Sequence, residues 1–130
     1  MSKKDQPIAS AAVLSERAMT GLFSRAFSQP LKLLGQTEAS LSSYAVFWCV
    51  ASNDMATQVE VSRLTGLSAK TVSRVISLLG ENRGGRGWIR QVPDDSDRRI
   101  RRLTLSAKGR AVHSRLIKDL ENFSSSFESA

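Results

Sequence analysis

The sequence is most informative first in what it has little of. There is one cysteine, Cys49, and one histidine, His113, in 130 residues. A single cysteine excludes an intrachain disulfide and any multi-cysteine metal site, and it points to a reducing, cytoplasmic setting. Long apolar runs are also missing. The longest, Tyr44 to Ala51, has eight residues, whereas a membrane span needs about 20. The start is basic, but the apolar stretch after it, Ile8 to Leu14, contains Ser10 and stops at Glu16-Arg17. That makes a poor signal peptide. No glycine-rich phosphate loop, paired-carboxylate site or metal-ligand spacing appears, so the expectation is a protein that is not an enzyme and carries no cofactor or metal. Cys49 lies in the most apolar stretch with no charged neighbour, where a buried inert thiol is the common case. His113 reads as structural or solvated.

What is present is positive charge in one place. The chain has 19 Lys and Arg against 12 Asp and Glu, a formal net charge of +7. Residues 1–60 carry five of each sign and residues 111–130 carry two basic and three acidic. Residues 61–110 carry twelve basic and four acidic, net +8, and ten of those twelve are arginine. A basic surface is often no more than a soluble one. Confinement to one segment favours a polyanionic partner. Arginine makes planar, two-armed contacts with phosphate or guanine. No strongly basic helix with an exposed aromatic face favours a membrane surface instead.

Helical spacing of Met19, Leu22, Phe23, Ala26 and Phe27 predicts a helix over residues 9–29, interrupted by Pro30 and followed by a connection at Leu31–Gln36. Ser40 is the expected N-cap of a helix over Leu41–Ser52. That helix is apolar nearly all round and therefore belongs to the core. Thr57 caps a short helix whose apolar face is Val59, Val61, Leu64 and Leu67, and Gly66 marks a tight turn. Ser68 caps the next helix, Ala69–Leu79, with Val72, Val75, Ile76 and Leu79 on one face and Lys70, Thr71, Ser73, Arg74 and Ser77 on the other. Gly80 ends it. Residues 88–105 read as a hairpin, with strand-like Trp88–Val92, turn chemistry from Pro93 to Asp97, and a returning strand Ile100–Leu105. Ser106 caps a last helix with an apolar stripe of Val112, Leu116, Leu120, Phe123 and Phe127. The order is four helices, a hairpin and a helix: mainly α with a small β-hairpin (α+β).

Two constellations carry the functional argument. The pair of short helices around Gly66 has the helix-turn-helix layout, with Ser68 at the end that can approach phosphate. A helical hairpin inside an all-helix core would show the same pattern, with its polar residues facing only solvent. The second constellation is the crowding of Arg98, Arg99, Arg101 and Arg102 directly after that helix. Strand alternation turns Arg101 away from Arg102, so one face cannot bury both. An edge hairpin can carry charge merely for solubility, but placed after a helix-turn-helix it reads as a wing. The carboxylates of Asp94, Asp95 and Asp97 beside these arginines read as turn and salt-bridge chemistry.

The sequence resembles the multiple-antibiotic-resistance regulator (MarR) family of winged helix-turn-helix proteins. The resemblance rests on Leu41–Phe47, on the block Val61–Ser68, and on Thr71-Val72-Ser73-Arg74. Its most specific part is Asp97-Arg98-Arg99, five residues, then Leu105-Ser106-Ala107-Lys108-Gly109, where the family pattern has threonine in place of Ser106. It covers about residues 19 to 113. The resemblance implies a MarR-like homodimer that regulates transcription as a repressor on an inverted repeat of double-stranded DNA. Residues 1–8 would be a tail and 9–130 one domain. Within it, 9–36 and 107–130 would be dimerisation helices and 37–106 the winged helix-turn-helix lobe. The helix at 69–79 would enter the major groove and the wing at 88–105 the minor groove. The resemblance implies that Ser68, Lys70, Thr71, Ser73, Arg74, Arg98, Arg99 and Arg101 meet DNA, that Asp97 braces Arg99, and that Leu22, Phe23, Leu116, Leu120 and Phe123 serve dimerisation. It leaves room for a small-molecule effector without indicating one.

The chain departs from the family by an apparent insertion at 83–86, which with Arg83 and Arg86 either adds phosphate contacts or lengthens the connection. Its last helix is also short for the family. Two other readings stand beside this one: a DNA-structuring or replication/partition accessory protein of the same fold, and a winged-helix protein-interaction module.

Overall fold

A computed structural model of the chain describes residues 14–34, 40–82 and 84–129, with the side chains of 31–34 and 126–129 left out. The expected tail at 1–8, the expected helix start at 9–13, Arg83 and the side chain of Phe127 lie outside the described residues.

The first helix, α1, spans Glu16–Leu34. The Ser15 hydroxyl accepts from the Ala18 N–H at 3.0 Å, and Glu16 places a negative charge at the positive helix end. The sequence reading ended this helix before Pro30. Instead α1 continues through it for another turn. Proline lacks the N–H that would bond back to Ala26, but its ring is fully buried, and that packing offsets the missing bond. Met19, Phe23 and Phe27, four residues apart, remain 43%, 59% and 54% exposed.

α2 covers Leu41–Ser52, with the Ser40 hydroxyl accepting from the Ser43 N–H. Val46, Phe47 and Val50 are buried, as expected of a helix without a polar face. Met55 then takes a left-handed backbone, φ 69°. This turn starts a strand that the sequence did not announce, β1 at Ala56–Thr57. Two residues carry no readable alternation, and β1 exists only because Ala56 pairs with Leu103 and Thr57 with Arg102.

α3, Gln58–Thr65, opens with a capping box. The Thr57 side chain accepts from the Glu60 N–H, and the Glu60 carboxylate accepts from the Thr57 N–H at 2.8 Å. It closes at Gly66, whose φ of 81° is the left-handed cap that glycine adopts freely. α4, Ala69–Leu79, buries Val72, Val75, Ile76 and Leu79. Gly80 ends it, and a Cβ there would come within 2.7 Å of the Ile76 carbonyl oxygen. β2, Ile89–Pro93, pairs with β3, Arg101–Leu105, in register from Ile89↔Leu105 to Pro93↔Arg101. The sheet order is β1-β3-β2.

α5 spans Ala107–Ser129, with the Ser106 hydroxyl accepting from the Gly109 N–H at 3.0 Å and donating to the Gly87 carbonyl. A Cβ on Gly109 would collide with the Trp88 carbonyl oxygen, so this helix can approach the foot of the wing only through a glycine.

The described residues form two compact units. In one, α1 joins the part of α5 from Leu116 onward. There Arg25 makes a two-armed bond to Asp119, at 3.0 and 3.1 Å, and its guanidinium lies 5.2 Å from the Phe123 ring centre. The other unit runs from α2 to Arg115. Its core centres on Phe47, edge-on to Trp88 at 5.5 Å, with Ile76, Ile89 and Leu103 fully buried around it. Among the described residues no helix is long and apolar enough to cross a membrane, and no group of three His, Cys, Asp or Glu could hold a metal.

Candidate nucleic-acid interface

The turn between α3 and α4 is locked by side chains. The Ser62 hydroxyl donates to the Leu67 carbonyl, and the Leu67 N–H donates to the Thr65 hydroxyl at 3.2 Å. The Ser68 hydroxyl accepts from the Thr71 N–H at 3.1 Å and donates to the Thr71 hydroxyl at 3.0 Å. Ser68 is thus occupied as a cap. Lys70, Ser73 and Arg74 are exposed on α4 and Thr71 is half-buried. Val72, Val75 and Ile76 anchor the opposite face, so the exposed residues sit on a fixed rod.

The loop at 81–87 closes the far end of that rod. The N–H groups of Arg86, Gly87 and Trp88 donate to the carbonyls of Leu78, Gly80 and Leu79 at 3.0, 2.7 and 2.8 Å. Helix ends leave such carbonyls without partners, and here the connection itself supplies them. Gly85 permits the close approach, since a Cβ there would strike the Gly80 carbonyl oxygen. Arg86 lies 5.8 Å from the Trp88 ring centre.

The wing separates its arginines. Arg98, Arg99 and Arg101 are exposed and Arg102 is half-buried. Arg102 reaches inward, with Nε on the Asp94 carboxylate and Nη1 donating to the Met55 carbonyl at 2.9 Å. The other Asp94 oxygen accepts from the Ser96 N–H, the Ser96 hydroxyl and the Asp97 N–H, at 3.0, 2.7 and 3.0 Å. Bonds from Ser96 and Arg102 hold the Asp94 carboxyl well below the usual carboxylate range. At the tip, the guanidinium of Arg99 donates from Nε and Nη2 to the two oxygens of Asp97, both at 3.1 Å. The Arg99 N–H donates to Asp97 at 3.0 Å. The guanidinium and then the backbone N–H of Arg99 depress the Asp97 pKa. The Arg99 side chain is nevertheless 89% exposed. Thr104 donates to Asp54, a second tie between the wing and the turn before α3.

The site residues on α4 and the wing belong to one compact unit. The residues expected to serve dimerisation lie elsewhere and differ in access. Phe23 is exposed, while Leu22, Leu120 and Phe123 are half-buried. Leu116 is only 3% exposed in its own chain, so it packs inward and offers no open surface. The sequence marks Asp94 for turn and salt-bridge chemistry but not its partner, because the choice of Arg102 depends on the hairpin register, which sets Val92 opposite Arg102 and brings the Asp94 carboxylate diagonally within its reach. Cys49 is half-buried, with burial raising its thiol pKa, and His113 packs edge-on against Trp48 at 5.5 Å.

No known family profile and no curated protein matches the sequence. Solved structures do. Transcriptional regulator Tm0710 from Thermotoga maritima superposes with a TM-score of 0.67 at 23% identity, over 88% of this chain and 78% of that one. A MarR-family transcriptional regulator from Silicibacter pomeroyi superposes at 0.56 and 21% identity, over 82% of this chain and 66% of that one. The chain has the MarR fold. AbfR bound to DNA, in its overoxidised form, shares this fold at a TM-score of 0.57 and 20% identity, over 94% of this chain and 85% of that one. The Tm0710 and Silicibacter pomeroyi proteins are both transcriptional regulators.

Proposed function

We propose that this chain is a homodimeric regulator of transcription, acting as a repressor, that binds a specific inverted repeat in double-stranded DNA. The observation that carries the reading is the pairing of two presented elements in one compact unit. α4 exposes Lys70, Ser73 and Arg74, and the wing exposes an arginine already held in one pose by Asp97. An α-helix fits the major groove, where base edges can be told apart. A narrow minor groove has enhanced negative potential that attracts arginine. Thr71, Ser73 and Arg74 would read bases, while Ser68, Lys70, Arg98 and Arg101 would meet the backbone or either target. AbfR, of the same fold, is bound to DNA in its structure, which supports the mode without fixing the contacts. The exposed stripe of Met19, Phe23 and Phe27 supports a second copy at α1, and the two-fold symmetry of such a dimer would match an inverted repeat.

The test is selection of bound duplexes from a random pool, followed by salt titration on the recovered site and on random duplex. A specific regulator binds its site at least ~10³-fold more tightly than random DNA. A ratio near one would support the DNA-structuring or accessory role. No duplex binding at low salt would leave a protein-interaction module.

A further inference from the structure

Arg102 and Asp94 are the least solvent-accessible charged pair of the wing, with side chains 32% and 12% exposed. Arg102 lies in β3, the central strand of the sheet. From there it holds two things at once: the Asp94 carboxylate at the start of the wing tip and the Met55 carbonyl in the turn before α3. Met55 is the described non-glycine residue with a left-handed backbone, and its N–H donates to the Leu103 carbonyl at 2.8 Å. Asp94 in turn accepts from the N–H of Asp97, the residue whose carboxylate carries Arg99. The bonds therefore form one unbroken relay, from the Met55 turn through Arg102, Asp94 and Asp97 to the Arg99 guanidinium.

We propose that Asp94 and Arg102 are a positioning pair for nucleic-acid binding, which fixes the wing tip to the turn before α3 and so sets where Arg99 stands relative to α4. The proposal rests on the DNA-binding reading above and names residues that this reading does not use. Two features separate it from simple charge counting. Asp94 is an acid in a basic wing, so by charge alone its removal should tighten binding to a polyanion. Arg102 is a cation, but its Nε and Nη1 donate inside the protein, to Asp94 and to the Met55 carbonyl, so on this proposal it acts by holding those groups rather than by neutralising a phosphate. A cation that touches phosphate contributes about one unit to the dependence of log K on log salt, and one that only positions another group contributes none.

The experiment measures binding of the full chain to its selected duplex over a salt series, for the parent and for Asp94→Ala, Arg102→Gln, Asp95→Ala and Arg101→Ala. Amide hydrogen exchange at Ser96, Asp97 and Arg99 is followed on the same proteins. Asp94→Ala and Arg102→Gln should each weaken binding about tenfold with an unchanged salt slope. Arg101→Ala should make the slope shallower by about one. Asp95→Ala should bind as the parent does or slightly more tightly. The Ser96 and Asp97 amides should exchange faster in Asp94→Ala, and that substitution should add nothing in an Arg99→Ala background. Asp94→Asn keeps an oxygen for those amides while losing the ion pair. It should recover part of the affinity, and it serves as the test if Asp94→Ala does not fold. Binding by Asp94→Ala as tight as that of Asp95→Ala would overturn the proposal, as would an Arg102→Gln slope reduced like that of Arg101→Ala. A parent chain that binds no duplex at low salt overturns the DNA reading itself, whereas unchanged amide exchange in Asp94→Ala overturns the relay alone.

Discussion

Asp97 grips both arms of the Arg99 guanidinium at 3.1 Å while leaving that side chain 89% exposed. An exposed ion pair contributes little to stability, commonly under about 1 kcal/mol. Under the proposed function its value would lie in pre-organisation: a long side chain held in one pose before binding loses less entropy when it binds. Arg99→Ala should therefore reduce DNA affinity strongly, and Asp97→Ala should reduce it less. The double variant should be no worse than Arg99→Ala alone. Tighter binding by Asp97→Ala in an electrophoretic or fluorescence titration would show that the carboxylate only repels DNA.

Arg74 stands on the outer face of α4, two turns of buried apolar residues behind it. If it reads a guanine, Arg74→Ala costs about 1–3 kcal/mol on the selected site and relaxes preference at one base pair. Affinity for random duplex should change far less. Equal losses on both duplexes would reassign Arg74 to phosphate.

Gly109 and Gly84 make opposite demands on an alanine. A Cβ at 109 would collide with the Trp88 carbonyl oxygen, whereas a Cβ at 84 meets nothing within 4 Å but sits at φ 82°. Gly109→Ala forces α5 off the foot of the wing and should destabilise the chain by about 1–3 kcal/mol. Gly84→Ala should cost about 1–2 kcal/mol, through backbone strain alone. Urea unfolding measures both, and only Gly109→Ala should also slacken the wing amides.

The wing carboxylates set an acid dependence. Asp94 and Asp97 ionise at lower pH in the folded chain than a free carboxyl does, against about 3.9 when unfolded. Their contribution is complete above the unfolded value and is lost as pH falls through the depressed folded values. Stability should hold from pH 7 to about 5 and decline only in stronger acid. Asp94→Asn should flatten part of that acid limb in thermal melts. A decline between pH 7 and 5 that Asp94→Asn and Asp97→Asn leave intact would place the sensitivity elsewhere.

Met19, Phe23 and Phe27 expose roughly half of each side chain along one line of α1. Phe23→Asp would put a charge in the centre of any dimer seam there. The parent should sediment as a dimer at micromolar concentration and Phe23→Asp should shift towards monomer. A monomeric parent would remove the basis for a palindromic site.

The helices from α2 onward, their caps at Ser40, Thr57, Ser68 and Ser106, and the hairpin were legible in the sequence. The helices and caps depend on groups within about four residues of each other, the range of helical spacing and capping bonds, and the hairpin is marked by the turn chemistry of Pro93 to Asp97 between two strand-like runs. The segregation of ten arginines into residues 61–110 was equally local information. What reaches across the chain was not legible. The run of α1 through Pro30 depends on what buries the ring. β1 exists only by pairing with a strand some 45 residues away. Leu116 and Phe23 look alike as apolar stripe residues, yet one is buried and the other open. Arg101 and Arg102 are adjacent and chemically identical. The sequence could state only that one strand face cannot hold both, and it took the β3 register, with Asp94 and the Met55 carbonyl brought to one side, to decide which arginine is tied into the protein and which stands exposed.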